Sequence, residues 1–383
     1  MTRANLLIAS LLGIMVLSAG CKTNDPPIVS PTITAGPHLI TPKPSLDAQI
    51  HLSWFYKPPE NVAIDNLPAY FDTFILTHKD EEARDQLLSL GVKKPILEYL
   101  ALLEIQDPGS CTADPYGNQV AYQPGDFCQI SAQHPDWFLL DQNGNRIEVD
   151  GNYYYMDPGN ADYRAFWLIR ARQLQNDFHW DGVFIDNVEA SLSKLNGLGV
   201  TPARYGDDAS YQQAVQGFLA YLSQNGLSNV QHPVVANIIA LKDEAVWFRY
   251  MEYLSGAMIE NFATDWKNRY FLPPTWESQM SMVEDTIALG KSIILVSQGN
   301  RDDANRQEFA FASYLLVKSE QVSFRYANDQ SYGQVWLYNN YQVNLGAPLG
   351  LRYRQGLVWR RNFENGYVLV NPISHAATIK LTK

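Results

Sequence analysis

Two carboxylates, Asp186 and Glu260, stand where chemistry would be expected. Asp186 closes the run Trp180-Asp181-Gly182-Val183-Phe184-Ile185-Asp186-Asn187, whose middle is short, apolar and rich in β-branched and aromatic residues. Such a run suits a strand covered on both faces. A carboxylate at its end would emerge at the C-terminal edge of a parallel sheet, where substrates bind, although Asp is also a common turn residue. Glu260 ends the comparable run Ala257–Glu260, and a lone Glu at such a rim is rarely kept without a partner or a role. The ends of other apolar runs are mostly acidic, aromatic or amide, Trp54, Tyr56, Glu98, Tyr99, Asn187, Asn237, Asn261 and Gln298, with one cation, Arg325. Two carboxylates from different strands among rings and amides are what cleavage of a glycosidic bond requires. One protonates the departing oxygen while the other attacks the anomeric carbon or activates water. Aromatic rings cover the apolar faces of sugars, and Asn, Gln and Arg bond their hydroxyls.

On this reading Asp186 and Glu260 are the catalytic candidates, and Trp54, Tyr56, Glu98, Tyr154, Asp157, Asn187, Asn237, Asn261, Gln298 and Arg325 are candidates for holding the sugar. Several have plainer uses. Glu98 suits a buried ion pair with a nearby Arg as well as a hydroxyl contact. Asp157 sits in a turn just before Asn160 and is placed to order it. Glu189, beyond Asp186, could replace Glu260 as the acid but reads better as a solvated loop charge, and Asp181, ahead of the strand, reads as structural. Trp54, Tyr56, Trp137, Tyr154 and Trp266 are stacking candidates that would serve equally in a core.

The elements that must position these residues follow from periodicity. Eight short apolar runs recur along the chain: Ile50–Tyr56, Phe71–Thr77, Pro95–Leu100, Val183–Asp186, Val234–Ile238, Ala257–Glu260, Ile293–Ser297 and Val322–Tyr326. Between several of them lie amphipathic helices ending at Gly91, Gly226 and Gly290, where glycine accepts the left-handed conformation that stops a helix. A helix is predicted over 161–178, capped by Asn160 and leading into the Asp186 strand, and another over 302–318. Alternating strands and helices imply parallel pairing with right-handed crossovers, and eight units close into a (β/α)8 TIM barrel. An open doubly wound sheet is the runner-up, without the Gly-rich phosphate loop that would support it. After the first strand, 58–69 holds two prolines and little periodicity, so the first helix is expected to be short or missing. The connection 101–160 is too long for a simple crossover and is expected to form a wall of the site. Past the eighth strand, three short runs around the turn Glu364-Asn365-Gly366 predict a small C-terminal β extension.

Composition bounds the rest. At 383 residues, 46% hydrophobic and 12% aromatic, the chain holds enough apolar surface for a substantial core. A net charge of −11 disfavours nucleic acid as a partner and suits neutral or cationic polymers. Residues 1–20 carry a positive start, an apolar stretch and small residues before Cys21, the pattern of a bacterial lipoprotein signal, which makes Cys21 the expected lipid-bearing residue. Residues 21–47 read as a flexible tether, 48–350 as the barrel and 351–383 as the extension. The expected address is the cell envelope, anchored in the outer membrane. Cys111 and Cys128 remain as an even pair in an exported protein and are expected to be bridged. The seven histidines are scattered without metal-ligand spacing, no Gly-x-Ser-x-Gly elbow is present, and neither metal nor organic cofactor is expected.

Three stretches resemble one family: Asp181-Gly182-Val183-Phe184-Ile185-Asp186-Asn187-Val188-Glu189, Tyr155-Met156-Asp157-Pro158-Gly159-Asn160, and Phe363-Glu364-Asn365-Gly366-Tyr367-Val368-Leu369-Val370-Asn371-Pro372. They look like the bacterial glycosidases grouped as hypothetical glycosyl hydrolase family 15, a TIM-barrel relative of the α-galactosidase-like and endo-α-1,4-polygalactosaminidase enzymes. The resemblance implies that Asp186, after the fourth strand, is the nucleophile, and Glu260, after the sixth, the general acid/base. The expected function is that of a lipid-anchored glycoside hydrolase acting on an oligo- or polysaccharide. The alternative is a catalytically silent lipoprotein that binds glycan or helps assemble the envelope on the same scaffold. Retention or inversion depends on how far apart the carboxyl groups stand, which the sequence leaves open.

Overall fold

The computed structural model describes residues 47–266 and 269–382. The signal segment, Cys21 and all of the tether but Asp47 lie outside the described residues. Eight parallel strands pair in sequence order: β1 (Ser53–Phe55), β2 (Thr73–Leu76), β3 (Ile96–Ala101), β4 (Gly182–Glu189), β5 (Val234–Ile239), β6 (Gly256–Ile259), β7 (Ser292–Gln298) and β8 (Val322–Ala327). Leu52 bridges Phe324, and the Ser53 hydroxyl donates to the Ser323 hydroxyl at 2.6 Å, so the first strand meets the last in a nearly closed barrel. All eight expected strands are present. Gly182 and Gly256 open β4 and β6 where no side chain fits: a Cβ would stand 2.4 Å from the Pro233 carbonyl oxygen in one and 2.5 Å from that of Ser292 in the other.

Among the described residues, six helices pack around the barrel between the strands, α1 (Glu81–Ser89), α2 (Ala161–Phe178), α3 (Asp208–Gln224), α4 (Glu244–Met251), α5 (Pro273–Ala288) and α6 (Ala304–Val317), and two short ones, Asp126–Gln133 and Ser193–Gly197, lie in the loops after β3 and β4. The Asn160 side chain accepts from the amides of Asp162 and Tyr163 at the start of α2, as its residue type predicts. Only a short 3-10 turn, Ile64–Ala69, follows β1, and Pro68 lies within it. The sequence reading passed over α4, which is only eight residues long and is capped by Asp243.

Side chains alternate across the barrel wall, except after Phe55, where Tyr56 also turns inward, and at the β4 bulge. Phe55, Ile75, Leu97, Phe184, Val235, Met258, Ile294 and Val296 fill the interior, while the intervening residues join a larger core shared with the helices. The connection after β3 carries its own three-stranded antiparallel sheet (Glu104–Gln106, Glu148–Val149 and Tyr153–Tyr155), and Cys111 and Cys128 within it form a disulfide. The C-terminal extension is a four-stranded antiparallel sheet, β9 (Tyr353–Gln355), β10 (Val358–Phe363), β11 (Gly366–Asn371) and β12 (Ala376–Leu381). Its first strand, fully exposed and polar, has no apolar pattern to betray it. The extension is tied to the barrel by Arg361, which donates to the carbonyls of Leu315 and Lys318 at 3.2 and 2.8 Å.

Candidate active site

The site is built by the two-residue period of the strands. Five interior apolar residues are each followed, two positions on, by a polar one at the C-terminal rim: Leu97 by Tyr99, Phe184 by Asp186, Val235 by Asn237, Met258 by Glu260 and Val296 by Gln298. Alternation therefore delivers the five rim side chains into one mouth. At Asp186 the ladder slips, with a bulge between Ile185 and Val188 and Asn187 at φ 56°. Bulges of this kind re-aim a side chain at the end of a strand, and Asn tolerates the left-handed backbone better than most residues.

Hydrogen bonds join these residues into one network. The Asn237 Nδ2 amide donates to Asp186 Oδ1 at 2.9 Å and to Glu260 Oε2 at 2.8 Å. Tyr99 donates its hydroxyl to Asp186 Oδ2 at 2.5 Å. Tyr332 donates to Glu260 Oε1 at 2.8 Å and accepts from Gln298 Nε2 at 2.8 Å, while Gln298 also bonds the Glu260 carbonyl at 3.0 Å. Tyr56 closes the set as an aromatic wall, its ring 4.6 Å from Tyr99 and 5.5 Å, edge-on, from Tyr332. The peptide between Phe55 and Tyr56 is cis.

Glu260 is pushed up to about 7, first because it is withdrawn from water and next because the Asp186 charge stands beside it; bonds from Asn237 and Tyr332 pull the other way. Asp186 is largely buried and accepts a hydrogen bond on each oxygen. Two carboxyl groups held by a shared amide, one of them protonated near neutrality, can divide the roles of acid and nucleophile between them.

The structure brings together Asp186, Glu260, Tyr56, Asn237 and Gln298 of the expected residues. Asn187 points away from that mouth, its amide donating to Glu104 Oε2 at 3.2 Å, and Glu104 in turn pairs with Lys194 at 2.6 Å. Asn261 lines a cavity next to Glu260. Arg325 is buried behind the mouth, donating to the carbonyls of Phe55 and Tyr332, with its guanidinium over the Trp54 ring at 4.2 Å.

Four sugar-binding candidates lie elsewhere. Trp54 faces the helix-side core, fully buried against Phe71, because it precedes the inward Phe55 by one residue. Glu98 stands one residue off Tyr99 and so points outward; it is wholly buried, neither oxygen has a hydrogen-bond partner among the described residues, and burial holds its carboxyl well above the usual range. Arg84 is near enough to act on it electrostatically, yet donates instead to Asp85 and the Phe178 carbonyl. Tyr154 stacks on Phe127 at 5.5 Å within the insertion. Asp157 orders its turn by accepting from the Gly159 amide at 2.8 Å, and it also takes Arg204 and the Tyr205 hydroxyl. Glu189 is not solvated: it ends β4 fully buried, bonded by Tyr155 and Tyr211 at 2.6 and 2.9 Å, and burial raises it to about 7. Asp181 braces β3 by accepting from the Ile96 amide at 2.9 Å.

Tyr332 escaped the sequence reading. It lies in the loop after β8, beyond any strand end, and no local pattern marks it. Tyr99 was on view at a strand end, and the parity of Leu97 and Tyr99 would have chosen it over Glu98.

A model of hypothetical glycosyl hydrolase family 15 matches residues 96–367. No curated protein matches the sequence. Among solved structures the chain is similar to the glycoside hydrolase domain of PelA from Pseudomonas aeruginosa, at 14% identity and a TM-score of 0.50 over 75% of this chain and 97% of that one. Others are the noncanonic maltogenic α-amylase AmyB from Thermotoga neapolitana (13% identity, 85% and 86% covered, TM-score 0.48) and the α-amylase of Geobacillus thermoleovorans (9%, 87% and 88%, 0.47). At such identities the PelA likeness bears on the fold alone.

Proposed function

From the premise that this chain belongs to hypothetical glycosyl hydrolase family 15, we propose that it hydrolyses a poly- or oligosaccharide with retention of anomeric configuration, with Asp186 as nucleophile and Glu260 as general acid/base. One observation carries the reading: a single amide, Asn237 Nδ2, donates to both carboxyl groups. The two oxygens it reaches, at 2.9 and 2.8 Å, are no farther apart than those lengths laid end to end, about 5.7 Å. Retaining glycosidases keep their carboxyl groups about 5–5.5 Å apart, whereas inversion needs about 6.5–9.5 Å to admit a water.

In the first step an Asp186 oxygen bonds the anomeric carbon as the glycosidic C–O bond breaks, and the Glu260 proton passes to the departing oxygen. In the second, Glu260, now a carboxylate, takes a proton from water while the water oxygen displaces Asp186. Both residues return to their starting states. Tyr99 and Asn237 hold Asp186 aimed, and Tyr332 and Gln298 do the same for Glu260.

The anchor belongs to the same proposal. The motif ending at Cys21 supports lipidation and an envelope address, and fatty-acid labelling that survives in Cys21→Ser would count against both.

The functional test is reducing-end release by the full-length chain from a panel of polysaccharides, beside Asp186→Asn and Glu260→Gln. Activity abolished by Asp186→Asn and cut about 10²–10⁴-fold by Glu260→Gln supports the roles. Full activity in either variant refutes them, and binding without turnover in the parent chain would favour the silent scaffold. Proton NMR of the first-formed anomer then separates retention from inversion.

A further inference from the structure

Next to Glu260, and lined by it, lies a cavity of about 370 Å³ to which Asp186 does not contribute. It opens between the loop after β5 and the loop after β6, with Trp247 and Met282 among its lining residues. Its volume is in the range of small-molecule sites. We propose that this cavity is the subsite for the leaving-group sugar, with Trp266 as its stacking platform and Asn261 as its hydroxyl contact. The inference rests on the role of Glu260 proposed above.

A general acid stands beside the oxygen it protonates, so the unit carried away on that oxygen lies on the acid's side of the scissile bond, while the sugar being attacked lies over the nucleophile. The cavity is bordered by Glu260 and by none of Asp186, Tyr99, Asn237 and Tyr332, so it flanks the acid and not the nucleophile.

Trp266 stands at the edge of this cavity. It is 46% exposed, a large apolar ring that folding has not buried. The described backbone on either side of it is fixed. Thr264 bridges Tyr270, the Asp265 amide donates to the Arg269 carbonyl at 3.0 Å, and the two side chains pair at 2.6 Å. The Arg306 guanidinium, buried to 1% exposure, donates to the carbonyls of Asp265 and Arg269 at 3.0 and 2.8 Å. On the near side Gln279 of α5 clamps the segment that follows Glu260, donating to the Asn261 carbonyl at 3.1 Å and accepting from the Ala263 amide at 2.9 Å. A buried cation and a helix thus fix backbone that presents an exposed ring at the mouth of a cavity. Such preorganisation lowers the ordering cost of binding, and a flat indole suits the C–H face of a pyranose.

Asp243 and Glu244 line the cavity, and the ammonium of Lys242, which lines it too, is taken by Asp208 at 2.7 Å. A uronate or sulfated sugar would meet repulsion there, so the occupant is a non-anionic sugar ring. The substrate therefore carries sugar on both sides of the bond, which makes small aryl glycosides poor substitutes.

Two measurements test this. On the polysaccharide that releases reducing ends fastest, Trp266→Ala should lower kcat/KM about tenfold, chiefly through KM, with a smaller loss on the matching 4-nitrophenyl glycoside; Trp266→Phe should recover much of it. An equal loss on both substrates, or none on the polysaccharide, overturns the proposal. Independently of turnover, full-length Asp186→Asn is run in native gels containing starch, dextran, xylan, chitosan or pectin. Retardation by a neutral or cationic polymer that disappears on adding Trp266→Ala, and survives with Trp266→Phe, supports the subsite. Retardation unchanged by Trp266→Ala, strongest in pectin, or absent from every gel overturns it. Turnover persisting in Asp186→Asn would instead sink the nucleophile assignment, whatever Trp266 does.

Discussion

At the scale of the residue, the Asn237 amide is the pivot, because it sets the carboxyl separation and spends both of its hydrogens doing so. Glu260, raised to about 7, must be protonated to act as the acid. The rate, kcat/KM, should be full just below that value and fall about tenfold per pH unit above it. Tyr332 donates to the Glu260 carboxylate and so favours the ionised form. Removing that hydroxyl in Tyr332→Phe makes the proton harder to lose, and the basic limb of the profile should move to higher pH. A limb that stays put or moves down would show that another group sets it. Asn237→Ala frees both carboxylates from their common donor and should cost far more in kcat than in KM, since it disturbs roles and not sugar contacts.

At the scale of the element, the barrel rim depends on two devices outside it. The insertion after β3 carries Glu104, which holds Asn187 turned away from the mouth, and is stapled by Cys111–Cys128, 17 residues apart. Closing a loop of that length removes unfolded-state entropy worth about 3 kcal/mol. A Cys111→Ser, Cys128→Ser double variant should lose stability of that order in denaturant titration, and a loss within error would mean the native insertion gains nothing from the staple. Asn160 caps α2, whose far end delivers the chain into β4. Asn160→Ala should cost about 1 kcal/mol by the same measurement. Activity per folded molecule should not change, because the cap acts on the helix and not on Asp186.

At the scale of the whole molecule, three buried carboxyl groups tie stability to pH. Glu98, Glu189 and Glu260 are all raised above their ordinary value of about 4.5, in each case first by burial. Below that value they are protonated in both states and cost nothing. As pH rises, the unfolded chain loses these protons first, so ionisation favours unfolding, up to about 7 for Glu189 and Glu260 and further for Glu98. The denaturation midpoint is therefore expected to fall between pH 5 and 8. Glu98 is the sharpest case, since its oxygens have no partner among the described residues. Glu98→Gln should flatten the decline while leaving kcat unchanged, because the side chain lies behind the barrel wall. A steeper decline would mean that the charge is compensated after all.

The chain's local order was legible from the sequence. Strand runs, glycine stops, the Asn160 cap and the paired cysteines are short-range signals, and they suffice for a (β/α)8 barrel with Asp186 on its fourth strand, which runs on to Glu189, and Glu260 just past its sixth. Parity was legible too, though it went unused: Phe55 and Tyr99 face inward, and that alone turns Trp54 and Glu98 to the helix side. Only the tertiary structure could decide which rim residues meet. Asn237 joins two carboxylates that are 74 positions apart in the chain because β4, β5 and β6 are neighbours in a curved sheet, and Tyr332 reaches Glu260 because the loop after β8 folds back over the mouth. Side-chain direction on a strand is set by the backbone's own period. The distance between side chains on different strands is set by closure and packing of the whole barrel, which no local stretch encodes.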